Sequence, residues 1–145
     1  MNWKKEAVSQ LKDYSARKES LRNIKERYTM LENEMVKLHS TQHEYIPASG
    51  SLSQSQEFLI NSAAEKEQLK FNYRMVKQQL DMVDRGLASL SDEERMVLEG
   101  FFLSSSEFAK DDLMDKLCIE RSTLYYLREK ALRKFTISMY GLLES

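Results

Sequence analysis

Residues 117–135 read LCIERSTLYYLREKALRKF. Leu124, Leu127, Ala131, Leu132 and Phe135 recur at helical spacing and fit one face of a helix. Arg121, Arg128, Lys130, Arg133 and Lys134 stand against the single Glu129, so the remainder of that helix is basic. Just upstream, Leu113 and Leu117 mark a shorter helix, and Cys118-Ile119 makes a tight turn between the two. Two short helices joined by a turn of three to four residues, the second basic and exposed, form a helix-turn-helix. Such a unit reads DNA because an α-helix fits the major groove, the preceding helix braces it, and its outer side chains reach base edges. The competing reading is a pair of ordinary packing helices, and pattern alone leaves both open.

Working back toward the N-terminus, Ser91-Asp92-Glu93-Glu94 is a capping box: the Ser hydroxyl accepts from the backbone three residues on, and the Glu there reaches back. A new helix therefore starts at Ser91, with Val97, Leu98, Phe101 and Phe102 as its buried side, and Ser104-Ser105-Ser106 interrupts it. Residues 91–145 thus read as a three-helix domain. Farther back, Tyr14, Leu21, Ile24, Tyr28, Leu31, Met35 and Leu38 fall at steps of three and four, broken only by Arg17. Leu69, Tyr73, Val76, Leu80, Val83, Leu87 and Leu90 repeat the pattern. That spacing puts a narrow apolar stripe on each of two long helices, as in a coiled coil.

Between the stripes lies STQHEYIPASGSLSQ, residues 40–54, with the only Pro of the chain, Pro47, and with Gly50. Pro removes a backbone donor and Gly relaxes the chain, so no helix is expected through about 41–54. The expected architecture is all-α: a long antiparallel helical hairpin over 1–90, followed by the helix-turn-helix domain over 91–145. The two stripes either bury each other within one chain or pair two chains as a homodimer.

The whole-chain figures agree with this class. Four Gly and one Pro in 145 residues, with 31% charged and 41% apolar residues, suit a folded helical protein. No apolar run approaches the roughly 20 residues that cross a bilayer, and MNWKKEAVSQLKDY lacks the apolar core of a signal peptide. A cytoplasmic protein with no membrane partner is expected. Cys118 is the only cysteine, so no internal disulfide is possible. Net charge is −1 overall, but its distribution is uneven. Residues 1–40 carry nine Lys/Arg against six Asp/Glu, whereas 91–145 carry eight against eleven, with the acids concentrated in 92–120. The basic helix at 121–134 therefore stands out locally.

The runs LSDEERMVLEGFF and DDLMDKLCIERSTLYYLREKALRKF resemble region four of bacterial sigma factors over residues 90–135, most specifically in the ending Ala131-Leu132-Arg133-Lys134-Phe135. With its long helical first half and the ending FTISMYG, the chain as a whole looks like the small phage-encoded regulators of the ArpU or RinA type. The resemblance implies transcriptional control in a bacterial host, with double-stranded DNA and RNA polymerase as partners and no cofactor. It puts the DNA-facing positions at Arg121, Ser122, Thr123, Tyr125, Tyr126 and Lys130, with Arg133 and Lys134 as weaker phosphate contacts. Three positions depart from the family pattern: Cys118 stands where Gly is usual, Met114 where a small Ala is usual, and Glu120 where Ser or Thr caps the helix.

Each candidate has a physical role. Arg121 could contact guanine with both nitrogens of its fork, worth about 1–3 kcal/mol of discrimination. Ser122 and Thr123 suit phosphate or base contacts, or else cap the helix. One of Tyr125 and Tyr126 is expected to close the domain core or to dock on the long helices, leaving the other for DNA. Lys130, Arg133 and Lys134 suit phosphate neutralisation, and they also complement the helix dipole. Elsewhere, His39 and His43 stand four apart beside Glu44 but lack a third metal ligand. Cys118 has no His nearby and no CxxC partner. With no phosphate loop and no Ser/His/Asp set, no enzyme activity is expected.

Overall fold

A computed structural model describes residues 1–42 and 53–144, and the side chains of all of these except 39–42. The protein is all-α. Helix α1 spans Trp3–Gln42, α2 Gln54–Ala88, α3 Asp92–Leu98, α4 Ala109–Leu117 and α5 Arg121–Tyr140, with one π-helical turn, Glu99–Leu103, directly after α3. Residues 41, 42 and 54, which the sequence reading places in the expected loop at about 41–54, are thus helical. Ser53 opens α2 with a reciprocal cap: its N–H donates to Gln56 Oε1 at 3.0 Å, and the Gln56 N–H donates to its hydroxyl at 3.2 Å. Pro47, Gly50, His43 and Glu44 lie outside the described residues, as does the side chain of His39. The expected loop at 41–54 is described only at its two ends.

The chain divides into two compact units: Met1–Lys18 together with the chain from Gln78 onward, and Glu19–Lys77. In the first, Ala7 and Leu11 of α1 share one core with Val83, Leu87, Leu90, Leu98, Ala131, Leu132 and Phe135. A second cluster of Val97, Leu113 and Leu124 ties α3, α4 and α5 together, with Phe101, Met114, Leu117, Ile119 and Leu127 partly buried around it. The capping box forms as the sequence predicts. Ser91 is the N-cap, its hydroxyl accepts from the Glu94 N–H at 3.2 Å, and its own N–H donates to Glu94 Oε1 at 3.1 Å.

Two glycines set close approaches in this unit. A Cβ on Gly86 of α2 would stand 2.7 Å from the Phe135 ring, and one on Gly100 in the π turn 2.3 Å from Leu113 Cδ1. The start of α1 is fastened to the end of α5. The Trp3 N–H donates to the Leu143 carbonyl at 2.9 Å, Asn2 and Glu144 form an isolated antiparallel bridge, and the Trp3 and Tyr140 rings pack 4.8 Å apart.

In the second unit the stripe residues Leu21, Ile24, Tyr28, Met35, Leu38, Leu69, Tyr73 and Val76 are half-buried, and Leu31 is buried at 1% exposure. Arg27 donates to both carboxylate oxygens of Glu65, from Nε at 2.9 Å and from Nη2 at 3.2 Å. The ammonium groups of Lys66 and Lys70 lie over the Tyr28 ring, at 4.9 and 5.9 Å from its centroid.

Candidate nucleic-acid interface

Three residues, Cys118, Ile119 and Glu120, separate α4 from α5. Cys118 takes the left-handed conformation, φ 54° and ψ 47°, at the position where the sequence resemblance leads one to look for Gly. The Ile119 N–H donates to the Met114 carbonyl at 3.1 Å, the six-to-one bond of a Schellman ending, and Ile119 packs into the α3–α4–α5 cluster. Cys118 therefore adopts the turn that Gly would adopt, at the steric cost of a Cβ in left-handed backbone, about 1–2 kcal/mol. Met114 is accommodated by partial burial in the same cluster. Glu120 is the N-cap of α5, φ −83° and ψ 164°, and its side chain makes no capping bond.

At about 100° per residue, the buried positions Leu124, Ala131, Leu132, Phe135 and Thr136 define the inward side of α5. Ser122, Tyr126, Lys130 and Arg133 form a stripe on the opposite side, with Thr123 beside it. All five are exposed, Tyr126 at 67%. Arg121 is the first residue of the helix and is also exposed. Among the described residues, Arg121, Lys130 and Arg133 have no carboxylate within ion-pairing distance, and neither the Ser122 nor the Thr123 hydroxyl is used as a cap.

The two tyrosines differ in burial. Tyr125 is half-buried, edge-on to Phe101 with ring centroids 5.5 Å apart. The Arg128 guanidinium lies 4.7 Å from its ring centroid and the Lys110 ammonium 5.9 Å. Arg128 and Lys110 also approach Phe101, each at 5.1 Å. This cluster braces α5 against α4 and the π turn, so it is Tyr126 that faces outward.

Two basic residues of α5 are engaged within the fold. Lys134 donates to Glu94 Oε1 at 3.1 Å, a bond between residues forty apart that helix periodicity does not reveal. Glu94 is 8% exposed. Burial pushes its carboxyl up, but the Ser91 N–H and hydroxyl and the Lys134 ammonium together hold it below its ordinary value of 4.5. Arg128 bonds Glu129 at 3.0 Å, and Glu129 also accepts from Lys4 of α1. The Lys4 ammonium, aided by Arg128, keeps the Glu129 carboxyl below its ordinary value. Sequence reasoning missed Lys4, since no local pattern joins the first turn of α1 to α5.

Among the described residues, no group of three or more His, Cys, Asp or Glu could hold a metal ion, and no helix is long and apolar enough to cross a membrane. Comparison of the chain with family models, curated proteins and solved structures gave no match.

Proposed function

We propose that the protein is a phage-type transcriptional regulator whose α4–turn–α5 segment is a DNA-reading helix-turn-helix, borne on a long antiparallel helical hairpin. The observation that carries this reading is the outer side of α5. Ser122, Thr123, Tyr126, Lys130 and Arg133 stand exposed on the side of the helix away from its buried residues, Arg121 is exposed at the helix start, and the three cations among these six have no acidic partner among the described residues. Cations left unpaired on an ordered helix are free to displace condensed counterions from DNA phosphates. In this arrangement Arg121 and Ser122, at the N-terminal end, contact base edges, and Lys130 and Arg133 contact phosphate. The sigma-like sequence pattern over residues 90–135 supports the same assignment.

A protein-interaction module, docking on RNA polymerase or a phage partner, is the second reading. What favours it is the character of α4: Asp111, Asp112 and Asp115 are exposed, and Phe108 just before the helix is 65% exposed. An acidic brace repels phosphate but suits a basic protein partner. Retention of the full chain on duplex DNA across a salt series separates the two. A DNA reader loses retention steeply with salt, and Arg121→Ala and Lys130→Ala weaken it. Retention unaffected by both substitutions and flat with salt leaves the interaction module.

A homodimer through the hairpin belongs to the same proposal. In the second compact unit Met30, Val36, Ile60, Phe71 and Met75 are exposed apolar residues. Sedimentation at micromolar concentration tests it, a strict monomer ruling it out.

A further inference from the structure

Lys4, Tyr126, Glu129, Lys130, Arg133 and Leu143 line a surface cavity of about 350 Å³. Three of these six, Tyr126, Lys130 and Arg133, belong to the outer stripe of α5. Glu129 is also on α5, and the remaining wall comes from Lys4 and Leu143, whose segments the Trp3–Leu143 backbone bond and the Trp3–Tyr140 ring contact hold in place. We infer that this cavity is a seat for one backbone phosphodiester of duplex DNA, completed by Lys4 and occupied in the free protein by the Glu129 carboxylate. The inference rests on the DNA-binding reading and adds to it a residue and a competitor that lie outside the helix-turn-helix.

The charges and spacing carry it. Three cations face a single carboxylate, leaving a net excess of two positive charges, and Lys130 and Arg133 have no ion pair among the described residues. The Tyr126 hydroxyl supplies a neutral donor. A carboxylate and a phosphodiester both present anionic oxygens to ammonium groups, so Glu129 holds Lys4 in the orientation that a phosphate would use. Along α5, Lys130 and Arg133 lie about 12 and 16 Å beyond Ser122 at 1.5 Å per residue. The major groove is about 12 Å wide. A helix that puts its first turn against base edges therefore brings this cavity to the flanking strand, where phosphates and not bases are met.

The competition gives a test in which two variants of one ion pair move in opposite directions. The dissociation constant of the full chain for duplex DNA is measured against salt for the wild type, Lys4→Ala, Lys4→Arg and Glu129→Gln, with melting temperatures to confirm folding. Expected is a weakening of roughly 3- to 10-fold for Lys4→Ala with a salt slope smaller by about one, recovery in Lys4→Arg, and tighter binding in Glu129→Gln. If wild type binds with a salt slope while Lys4→Ala leaves the slope unchanged, or Lys4→Ala and Glu129→Gln shift affinity the same way, the phosphate seat is wrong and the DNA reader stands. If wild type is not retained at low salt, both are wrong.

Discussion

The two compact units are built from the same two long helices, yet they bury very different amounts of apolar surface. Of the buried apolar side chains among the described residues, Leu31 alone belongs to Glu19–Lys77; the other unit holds the rest, from Ala7 to Phe135. The reason is geometric. A narrow stripe with only one neighbouring helix stays half-open, whereas in the other unit residues of α3 and α5 close over the stripe residues Val83, Leu87 and Leu90. The first unit is therefore the cooperative core, and the second relies on cation–π contacts, the Arg27–Glu65 pair and whatever covers its exposed Met and Phe residues. Local opening is expected to start in the second unit, read as faster amide exchange over 19–38 and 54–77 than in α5.

The largest expected effect breaks this contrast most directly. Phe135→Ala empties a fully buried site and is expected to cost about 3–5 kcal/mol in denaturant unfolding, while Tyr73→Ala in the half-open stripe costs clearly less. Equal losses would mean that the second unit is covered by another subunit. Next comes Gly86→Ala. In an exposed helix this change gains about 1 kcal/mol, but here the added Cβ meets the Phe135 ring, and a net loss of about 1–3 kcal/mol is expected. Cys118→Gly should act oppositely, raising stability by about 1 kcal/mol through relief of the left-handed backbone, at the loss only of the weak Sγ bond to the Asp115 carbonyl.

The smallest effect is the acid limb. Glu94 and Glu129 have carboxyls lowered from 4.5 in the fold. Their contribution is therefore complete above the unfolded value and is lost as pH falls through the lowered ones. Melting temperature should be flat from neutral pH to about 5, fall below about 4.5, and fall less in Glu94→Gln and Glu129→Gln.

How far the sequence reveals this molecule depends on the range of each interaction. The capping box at Ser91 and the apolar stripe on α5 follow from neighbours within a turn or two, and they are present in the structure; which of Tyr125 and Tyr126 packs against Phe101 does not follow from them. The π turn at Glu99–Leu103 follows from no local pattern, because the sequence reads simply as a helix ending at the serines. The pairing of Lys134 with Glu94 and of Lys4 with Glu129 joins residues 40 and 125 apart. Nothing in the spacing of either partner announces such a contact. Gly86 and Gly100 are equally silent, since their purpose is the side chain of another helix. What the sequence leaves open at the site is thus which cations the fold pairs internally: Arg128 and Lys134 each bond a glutamate, whereas Arg121, Lys130 and Arg133 are exposed with no carboxylate partner among the described residues.

The most direct test of the central claim is selection of bound duplexes from a random DNA pool by the full chain, repeated with Arg121→Ala. A DNA-reading α5 predicts an enriched motif that loses preference at one base position in the variant, with a repeated, inverted half-site if the hairpin dimerises. Recovery of a pool indistinguishable from the input would contradict it.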